Sequence, residues 1–105
     1  MGLFLDDGIL DTGSLGIHRG KQELRKFAAS LPPSPAWRHL INNEVIRIEG
    51  ASARALSYVT ILDVSQASPA IIYAGCYIDE LVKRDEQWLL RKRAALTSPA
   101  QIRDI

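Results

Sequence analysis

The hydrophobic pattern in the second half of the chain is that of long β-strands. Runs rich in β-branched and aromatic residues predict strands at residues 37–48, 53–64, 70–83 and 88–96. The links between them are short, as at residues 49–52 and 84–87. Consecutive strands joined by short turns predict an antiparallel meander.

The first of these strands mixes polar and apolar side chains on one face. One phase of the alternation holds Leu40, Ile46 and Ile48, and the other holds His39, Ile41, Asn43, Val45 and Arg47. The mixed phase predicts either a solvent-exposed face or the wall of a pocket.

The first half of the chain predicts one helix between irregular segments. Leu24, Phe27 and Ala28 recur at helical spacing, which predicts a helix over residues 21–30 that ends before the prolines of LPPSP. Upstream, we interpret residues 3–6 as the last turn of a helix, Asp7-Gly8 as a turn, residues 9–12 as a short strand and residues 13–20 as a loop. A helix followed by long strands predicts an α+β domain. Strands this long tend to curl, and a curled sheet with a helix across its mouth encloses a cavity.

Composition and charge narrow the class of protein. The chain has 105 residues, of which 47% are apolar and 24% charged, as expected for one soluble globular domain. We assign residues 1–96 to this domain and residues 97–105 to a C-terminal tail. The net charge of +1 predicts no strong attraction to nucleic acid or to an anionic membrane, and no segment approaches the ~18 apolar residues of a membrane span. The single cysteine, Cys76, excludes an intramolecular disulfide and favours a reducing compartment, so we expect a cytoplasmic location.

Four stretches occur in a defined order between about Leu3 and Arg93: LFLDDGILD, GIHRGKQELRKF, RHLINNEVIRIEGASARALSY and AGCYIDELVKRDEQWLLRKR. Together they resemble the SnoaL-like branch of the NTF2-like superfamily. The resemblance implies a cone-shaped α+β fold, in which a strongly curved, antiparallel-rich sheet packs on a helix around an internal pocket. It also implies a small-molecule ligand, because members include polyketide cyclases, dehydratases, ketosteroid isomerase-like enzymes and binding proteins.

The start of the sequence departs from the family pattern. Members begin with one or two long helices that close the cone, whereas this sequence starts just before LFLDDG. Either the start is misplaced, or the gene is truncated, or another subunit or the C-terminal tail supplies the cover. Because soluble monomers avoid an uncovered apolar pocket, we predict a homodimer.

His39 is the first candidate for catalysis. It matches the histidine of the family's RH-x-x-x-N pattern, which often points into the pocket, and an imidazole exchanges protons near neutral pH. Asp11 is a candidate partner if the early strand runs beside the pocket. The alternative role is a structural histidine. Asn43 shares the face of His39 if no bulge intervenes, and it can then hold a ligand carbonyl; the alternative is a satisfied polar group near a bulge.

The candidate ligand-binding residues besides Asn43 are Ile41, Tyr58, Tyr73, Tyr77 and Arg93. A tyrosine in an apolar pocket can donate a hydrogen bond to a developing oxyanion, although such rings more often supply core or interface area. Tyr73 and Tyr77 share a face with Gly75 and Asp79. We expect Arg93 to pair with an acidic residue on a neighbouring strand or to reach the mouth of the cone.

Metal, phosphate and thiol chemistry are not predicted. In GSLGIHRGKQ, Leu15 replaces the first glycine of a phosphate-binding loop and Gln22 replaces its Ser or Thr. His18 and His39 have no second ligand at metal spacing, so no metal and no cofactor are expected. Cys76 is interpreted as a buried, inert thiol.

Three functions remain open. The first is a pocket protein that binds an apolar or aromatic, partly oxygenated small molecule. The second is a lyase or isomerase with His39 as general acid or base. The third is a non-catalytic dimerisation domain, whose pocket is filled by side chains or by a partner segment.

Overall fold

The computed structural model describes residues 3–31 and 36–97 of the chain. These residues form one α-helix and a six-stranded sheet. In chain order the elements are β1 (Phe4–Asp11), a 3₁₀ turn (Gly13–Leu15), β2 (Ile17–Arg19), α1 (Gly20–Ser30), β3 (Trp37–Glu49), β4 (Ser52–Asp63), β5 (Ala70–Arg84) and β6 (Gln87–Leu96). The prolines predicted to stop the helix, at positions 32, 33 and 35, and most of the predicted tail, from residue 98 onward, lie outside the described residues.

The strand order in the sheet is β2-β1-β6-β5-β4-β3. Strands β3 to β6 form the predicted antiparallel meander, and β1 pairs in parallel with β6. The sheet is therefore mixed, and the predicted α+β class is confirmed. No helix among the described residues combines the length and the apolar character needed to cross a membrane.

The N-terminal segment differs from its prediction. The helical turn at residues 3–6 and the turn at Asp7-Gly8 are both wrong, because these residues belong to the continuous strand β1. β1 pairs with β6 on both sides of Asp7-Gly8, and the register shifts between Phe4 and Ile9, so the two residues form an irregularity within the strand instead of a turn. Gly8 suits this strand because a Cβ atom there would lie only 2.8 Å from Cδ2 of Phe4.

Helix α1 covers the β1–β2 end of the sheet. The backbone N–H of the N-cap residue Arg19 donates to Oε1 of Glu23 at 2.8 Å, which fixes the start of the helix. Leu24 is fully buried and anchors the helix. The rings of Phe27 and His18 stack with their centroids 4.1 Å apart, so α1 lies over the face of β2 that carries His18.

The face covered by α1 can be followed across the sheet through the strand register. His18 on β2 pairs with Leu10 on β1, and Leu10 pairs with Arg93 on β6. Arg93 in turn pairs with Asp79 on β5. We call the face that carries these residues the inner face and the opposite one the outer face.

Extra residues bend three of the long strands. Register shifts place one extra residue in β3 between Asn42 and Val45, one in β5 at Ile72 and one in β6 at Arg91. A bulge of this kind increases local twist and bends its strand. The long strands therefore curl, as their length predicted, and the inner face becomes a recess.

Candidate ligand-binding site

The bulge in β3 decides which of its side chains face inward. Before the bulge, His39 and Ile41 pair with Ile61 and Val59 of β4. After it, Ile46 and Ile48 pair with Ala55 and Ala53. The four partner residues on β4 all have odd numbers, so they lie on one face of that strand. The two phases of the sequence pattern thus exchange faces within one strand.

Asn43 lies in this bulge with a backbone φ of 53°. Asn43 was expected to share the face of His39 only if no bulge intervened, and the bulge in β3 does intervene. Val45 and Arg47, which follow in the same sequence phase, point to the outer face. The mixed face predicted from simple alternation does not exist in the folded strand.

The inner face holds a recess with a volume of about 350 Å³. Its lining is mostly apolar, with four polar residues among eleven: Ile41, Glu44, Ile46, Ile48, Ala53, Ala55, Ser57, Asp79, Leu81, Trp88 and Arg93. A mainly apolar concavity with a few placed polar groups is the usual form of a small-molecule site. Of the candidate residues predicted from the sequence, Ile41 and Arg93 line this inner recess.

An ion pair joins two neighbouring strands in the recess. Nε and Nη2 of Arg93 donate to the two carboxylate oxygens of Asp79 at 2.8 and 2.9 Å. Asp79 is only 6% exposed. The guanidinium carbon of Arg93 also lies 4.2 Å from the ring centroid of Tyr77. The predicted pairing of Arg93 with an acidic residue on the next strand is thus what the structure shows.

The hydrogen bonds to Asp79 raise the pKa of Arg93 above its ordinary value, against the opposing effect of burial. The guanidinium therefore stays charged at any working pH. A guanidinium has five N–H donors, and the pair with Asp79 uses two of them. Since no other hydrogen bond of Arg93 occurs within the described residues, the remaining donors can reach a ligand.

The three tyrosines separate. Tyr73 and Tyr77 lie on the inner face, as their alternation with Gly75 and Asp79 predicted, whereas Tyr58 pairs with Asn42 and Cys76 on the outer face. The phenol of Tyr73 folds over Gly75, so that a Cβ atom at position 75 would lie only 2.7 Å from Oη of Tyr73. Burial, followed by the nearby Tyr77, raises the pKa of Tyr73.

His39 lies on the inner face, but away from the ion pair. It belongs to the cross-strand row of Ile61 and Tyr73. Asp79 follows Tyr73 by six residues, which is about 20 Å along an extended strand. No hydrogen bond to the imidazole is found within the described part of the chain, and His39 is exposed.

The proposed partner Asp11 is not close to His39. Strands β6, β5 and β4 separate β1 from β3 in the sheet. Asp11 pairs with Ala94, and its Oδ1 accepts a hydrogen bond from the backbone N–H of Gly13 at 2.9 Å. Asp11 thus serves the 3₁₀ turn rather than an imidazole.

Sequence reasoning did not single out Asp79, Ser57 and Glu44 as site residues. Asp79 and Ser57 are buried polar side chains on the inner face. The alternation of Asp79 with Tyr73 and Tyr77 predicted which face of β5 it lies on. Its pairing with Arg93 depends on the register between β5 and β6, which alternation does not reveal.

Cys76 is buried, and burial raises the pKa of its thiol, which agrees with an inert role. No cluster of metal-ligating side chains occurs in the ranges that the structure describes.

A curved mixed sheet with one helix over its inner face is the cone of the NTF2-like proteins, which is also described as a cystatin-like fold. The SnoaL-like domain family matches residues 2–94, and the chain belongs to that family. No protein of curated function matches the sequence.

Solved structures show the same architecture. A cystatin-like protein of unknown function from Nostoc punctiforme is 28% identical, with a TM-score of 0.80, over 94% of this chain and 74% of its own. A variant of Rv3472 from Mycobacterium tuberculosis, also of unknown function, is 26% identical, with a TM-score of 0.77, over 92% of this chain and 57% of its own. A candidate scytalone dehydratase from Novosphingobium aromaticivorans is 21% identical, with a TM-score of 0.75, over 92% of this chain and 67% of its own. This chain therefore spans little more than half of the Mycobacterium protein.

Proposed function

We propose that the chain binds a small apolar or aromatic molecule that carries an oxygen substituent, in the inner recess. The observation that supports this proposal is the part-buried Asp79–Arg93 pair set among apolar walls. Ile46, Ile48 and Trp88 offer contact area to a ring system. The unused donors of Arg93 offer hydrogen bonds to an oxygen of the ligand.

The charge balance of the pair favours a neutral ligand oxygen. Arg93 alone would attract a carboxylate, but its charge is already matched by Asp79 at 2.8 Å. A ligand carboxylate would meet the Asp79 carboxylate in a partly desolvated site, where like charges repel strongly. A carbonyl or hydroxyl oxygen accepts from Arg93 without that cost.

Tryptophan fluorescence tests the proposal with a matched pair of probes. A Trp37→Phe background leaves Trp88, which lines the recess, as the remaining tryptophan. We expect 1-tetralone to quench Trp88 at concentrations about tenfold below those needed with tetralin, which lacks the carbonyl, because a hydrogen bond to a charged donor contributes about 1.5 kcal/mol or more. The matched carboxylate, 1,2,3,4-tetrahydro-1-naphthoate, should bind more weakly than tetralone.

Two variants separate the carbonyl contact from the apolar contact. The double change Asp79→Asn with Arg93→Gln removes both charges together, so no unpaired charge stays buried. It should reduce the preference for tetralone to a few-fold at most, because the neutral amides are weaker donors than a guanidinium, while tetralin binding is kept. Ala55→Phe should fill the recess and weaken both probes. Equal binding of tetralone by wild type and Ala55→Phe would contradict the proposed location.

A second candidate function is a lyase or isomerase that uses His39 as general acid or base. Its support is the pairing of His39 with Ile61 on β4, which puts the imidazole on the inner face together with Ile41. Proton transfer can be measured without a known substrate as deuterium exchange at the α-carbon of 1-tetralone by NMR. Because His39 lies away from the ion pair, this exchange requires a tetralone position beside His39, separate from the one at Arg93. Under this hypothesis His39→Ala loses exchange above the buffer rate but keeps the tetralone binding that quenches Trp88. A variant that exchanged as fast as wild type would remove His39 from the reaction.

A third candidate is a non-catalytic homodimeric domain. It shares the homodimer with the first two functions and differs in predicting no probe binding in the inner recess. A dimer in which neither tetralone nor tetralin quenches Trp88 would favour this function over the other two.

A further inference from the structure

Another concavity, with a volume of about 540 Å³, lies beside the turn between β3 and β4. Unlike the inner recess, it is lined mainly by charged and hydroxyl-bearing residues: Arg47, Arg54, Arg91, Glu49, Glu80 and Ser52. We call this concavity the basic cleft. Arg47 points to the outer face, and the strand register puts Arg54 and Glu80 beside it on that face. These side chains are therefore on the face opposite the Asp79–Arg93 pair.

Two arginines face each other in the basic cleft. Arg47 on β3 and Arg54 on β4 are direct cross-strand partners. Side chains in such a pair have Cβ atoms about 4.5–5.5 Å apart, and like charges placed there destabilise a sheet. Within the described residues, neither guanidinium forms an ion pair or a hydrogen bond. The pair thus gathers positive charge and N–H donors at one place without a bonded acceptor.

The neighbouring carboxylates leave an excess of positive charge. Glu80 on β5 lies between Arg54 on β4 and Lys92 on β6 in the strand register, so one carboxylate faces two cations. A third guanidinium, that of Arg91, comes from the extra residue in β6. The lining holds three arginines against two glutamates, and this balance favours an anion.

The arrangement of donors suits a phosphate better than a carboxylate. A guanidinium donates two parallel hydrogen bonds to two oxygens, so a single arginine satisfies both oxygens of a carboxylate. Two facing guanidinium groups call for an anion with more oxygens, and a phosphate monoester supplies three. Its charge of about −1.5 to −2 near pH 7 would also offset both cations of the Arg47–Arg54 pair.

The size and the acidic residues of the basic cleft indicate what the phosphate is attached to. A volume of 540 Å³ lies within the range of about 300–1,000 Å³ that holds whole small molecules. Ionised carboxylates only accept hydrogen bonds, so Glu49 and Glu80 match hydroxyl donors. We propose that the basic cleft binds the phosphate ester of a polyhydroxylated small molecule, such as a sugar phosphate, with the phosphate between Arg47 and Arg54.

Isothermal titration calorimetry of the full chain with ribose 5-phosphate, at low ionic strength, tests this site. We expect Arg47→Gln and Arg54→Gln each to weaken binding about tenfold, because each removes a charged pair of donors. Both positions are exposed, so either variant should stay folded. Arg25→Gln is the matched control, since it removes the same charge from an exposed position on α1, and it should leave the affinity unchanged.

Two further ligands separate the phosphate from the hydroxyl groups. Inorganic phosphate lacks the sugar, and D-gluconate carries its hydroxyl groups on a carboxylate. Both should bind several-fold more weakly than ribose 5-phosphate. Gluconate that bound as tightly as ribose 5-phosphate would overturn the assignment of a phosphate, and inorganic phosphate that did so would overturn the role of the hydroxyl groups.

Thermal denaturation gives a readout that a merely structural role of Arg47 would not produce. Without ligand, Arg47→Gln should leave the midpoint unchanged or raise it, because it removes a like-charge contact. Ribose 5-phosphate should raise the midpoint of the wild type and have little effect on the variant. A wild type that gave neither binding heat nor a midpoint shift would overturn the proposal, as would an equal loss of affinity with Arg25→Gln and Arg47→Gln. None of these results depends on whether the inner recess binds tetralone.

Discussion

At the α1 end of the sheet, Leu24 has no exposed surface, whereas at the β3 end all 13 residues of the strand are exposed. Both ends are rich in apolar residues, so composition does not explain the difference. The difference comes from coverage, because α1 makes its main contacts with β1 and β2. The helix end is stabilised by its own packing, whereas the β3 end leaves apolar side chains exposed on both faces of the sheet.

The largest expected effect contrasts the two ends directly. Leu24→Ala should lower the free energy of unfolding by about 3 kcal/mol, because it leaves a cavity at a fully buried site. Ile48→Ala on β3 should cost less than about 1 kcal/mol, since Ile48 is 61% exposed. Urea denaturation measures both. A cost at Ile48 as large as that at Leu24 would mean that β3 is covered in solution.

The next effect concerns the ion pair that lies between the two ends. Asp79→Ala leaves Arg93 without its partner, which should lower the free energy of unfolding by about 2 kcal/mol, less than for a fully buried pair because Arg93 keeps access to water. The Asp79→Asn, Arg93→Gln double variant should recover most of that loss in the same urea assay. If Asp79→Ala were neutral, the pair would not contribute to joining β5 and β6.

Two tight hairpin turns, between β5 and β6 and between β3 and β4, give a smaller effect and a sharper comparison. In the β5–β6 turn, Asp85 and Glu86 have φ values of 51° and 66°, a conformation that costs a residue with a side chain more than it costs glycine. Glu86→Gly should therefore raise the free energy of unfolding by about 0.5–1 kcal/mol. The exposed Lys83–Glu86 contact at 3.8 Å that it removes contributes little.

The reverse change at the other turn is the control. Gly50 between β3 and β4 has a φ of 60° and no atom within 4 Å of an added Cβ, so Gly50→Ala introduces backbone strain alone. It should cost about 1 kcal/mol if the β3 end unfolds together with the rest of the sheet. A gain at Glu86 without any loss at Gly50, by thermal denaturation, would show that the β3 end opens independently.

Much of this architecture follows from local patterns of apolar residues in the sequence, and the rest depends on which strands pair with each other. Helix α1 could be predicted from the helical spacing of its apolar residues, and strands β3 to β6 from long runs rich in β-branched and aromatic residues between turn residues. The parallel addition of β1 to β6 could not, since Asp7-Gly8 has the local signature of a turn and only the fold supplies the partner strand.

The candidate site likewise has residues whose position could be predicted from the sequence and residues whose position could not. Tyr73, Tyr77 and Asp79 were correctly placed on one face because β5 alternates without interruption between them. The faces of Asn43 and Val45 could not be predicted, because one extra residue in β3 inverts every side chain beyond it. The Asp79–Arg93 pair likewise depends on the register between β5 and β6, which alternation alone leaves open.

The smallest expected effect compares the inner and outer faces through two tyrosines. Burial raises the pKa of Tyr73 above the ordinary value of 10.0. The unfolded chain therefore loses this phenolic proton first, so the stability contributed by Tyr73 is complete below pH 10 and is lost as the pH rises toward the folded-state pKa. Tyr73→Phe should flatten the decline of the urea midpoint above pH 10, and Tyr58→Phe, whose ring lies on the opposite face of the sheet, is the matched control. A slope that Tyr73→Phe leaves unchanged would show that ionisation of the Tyr73 phenol is not coupled to folding.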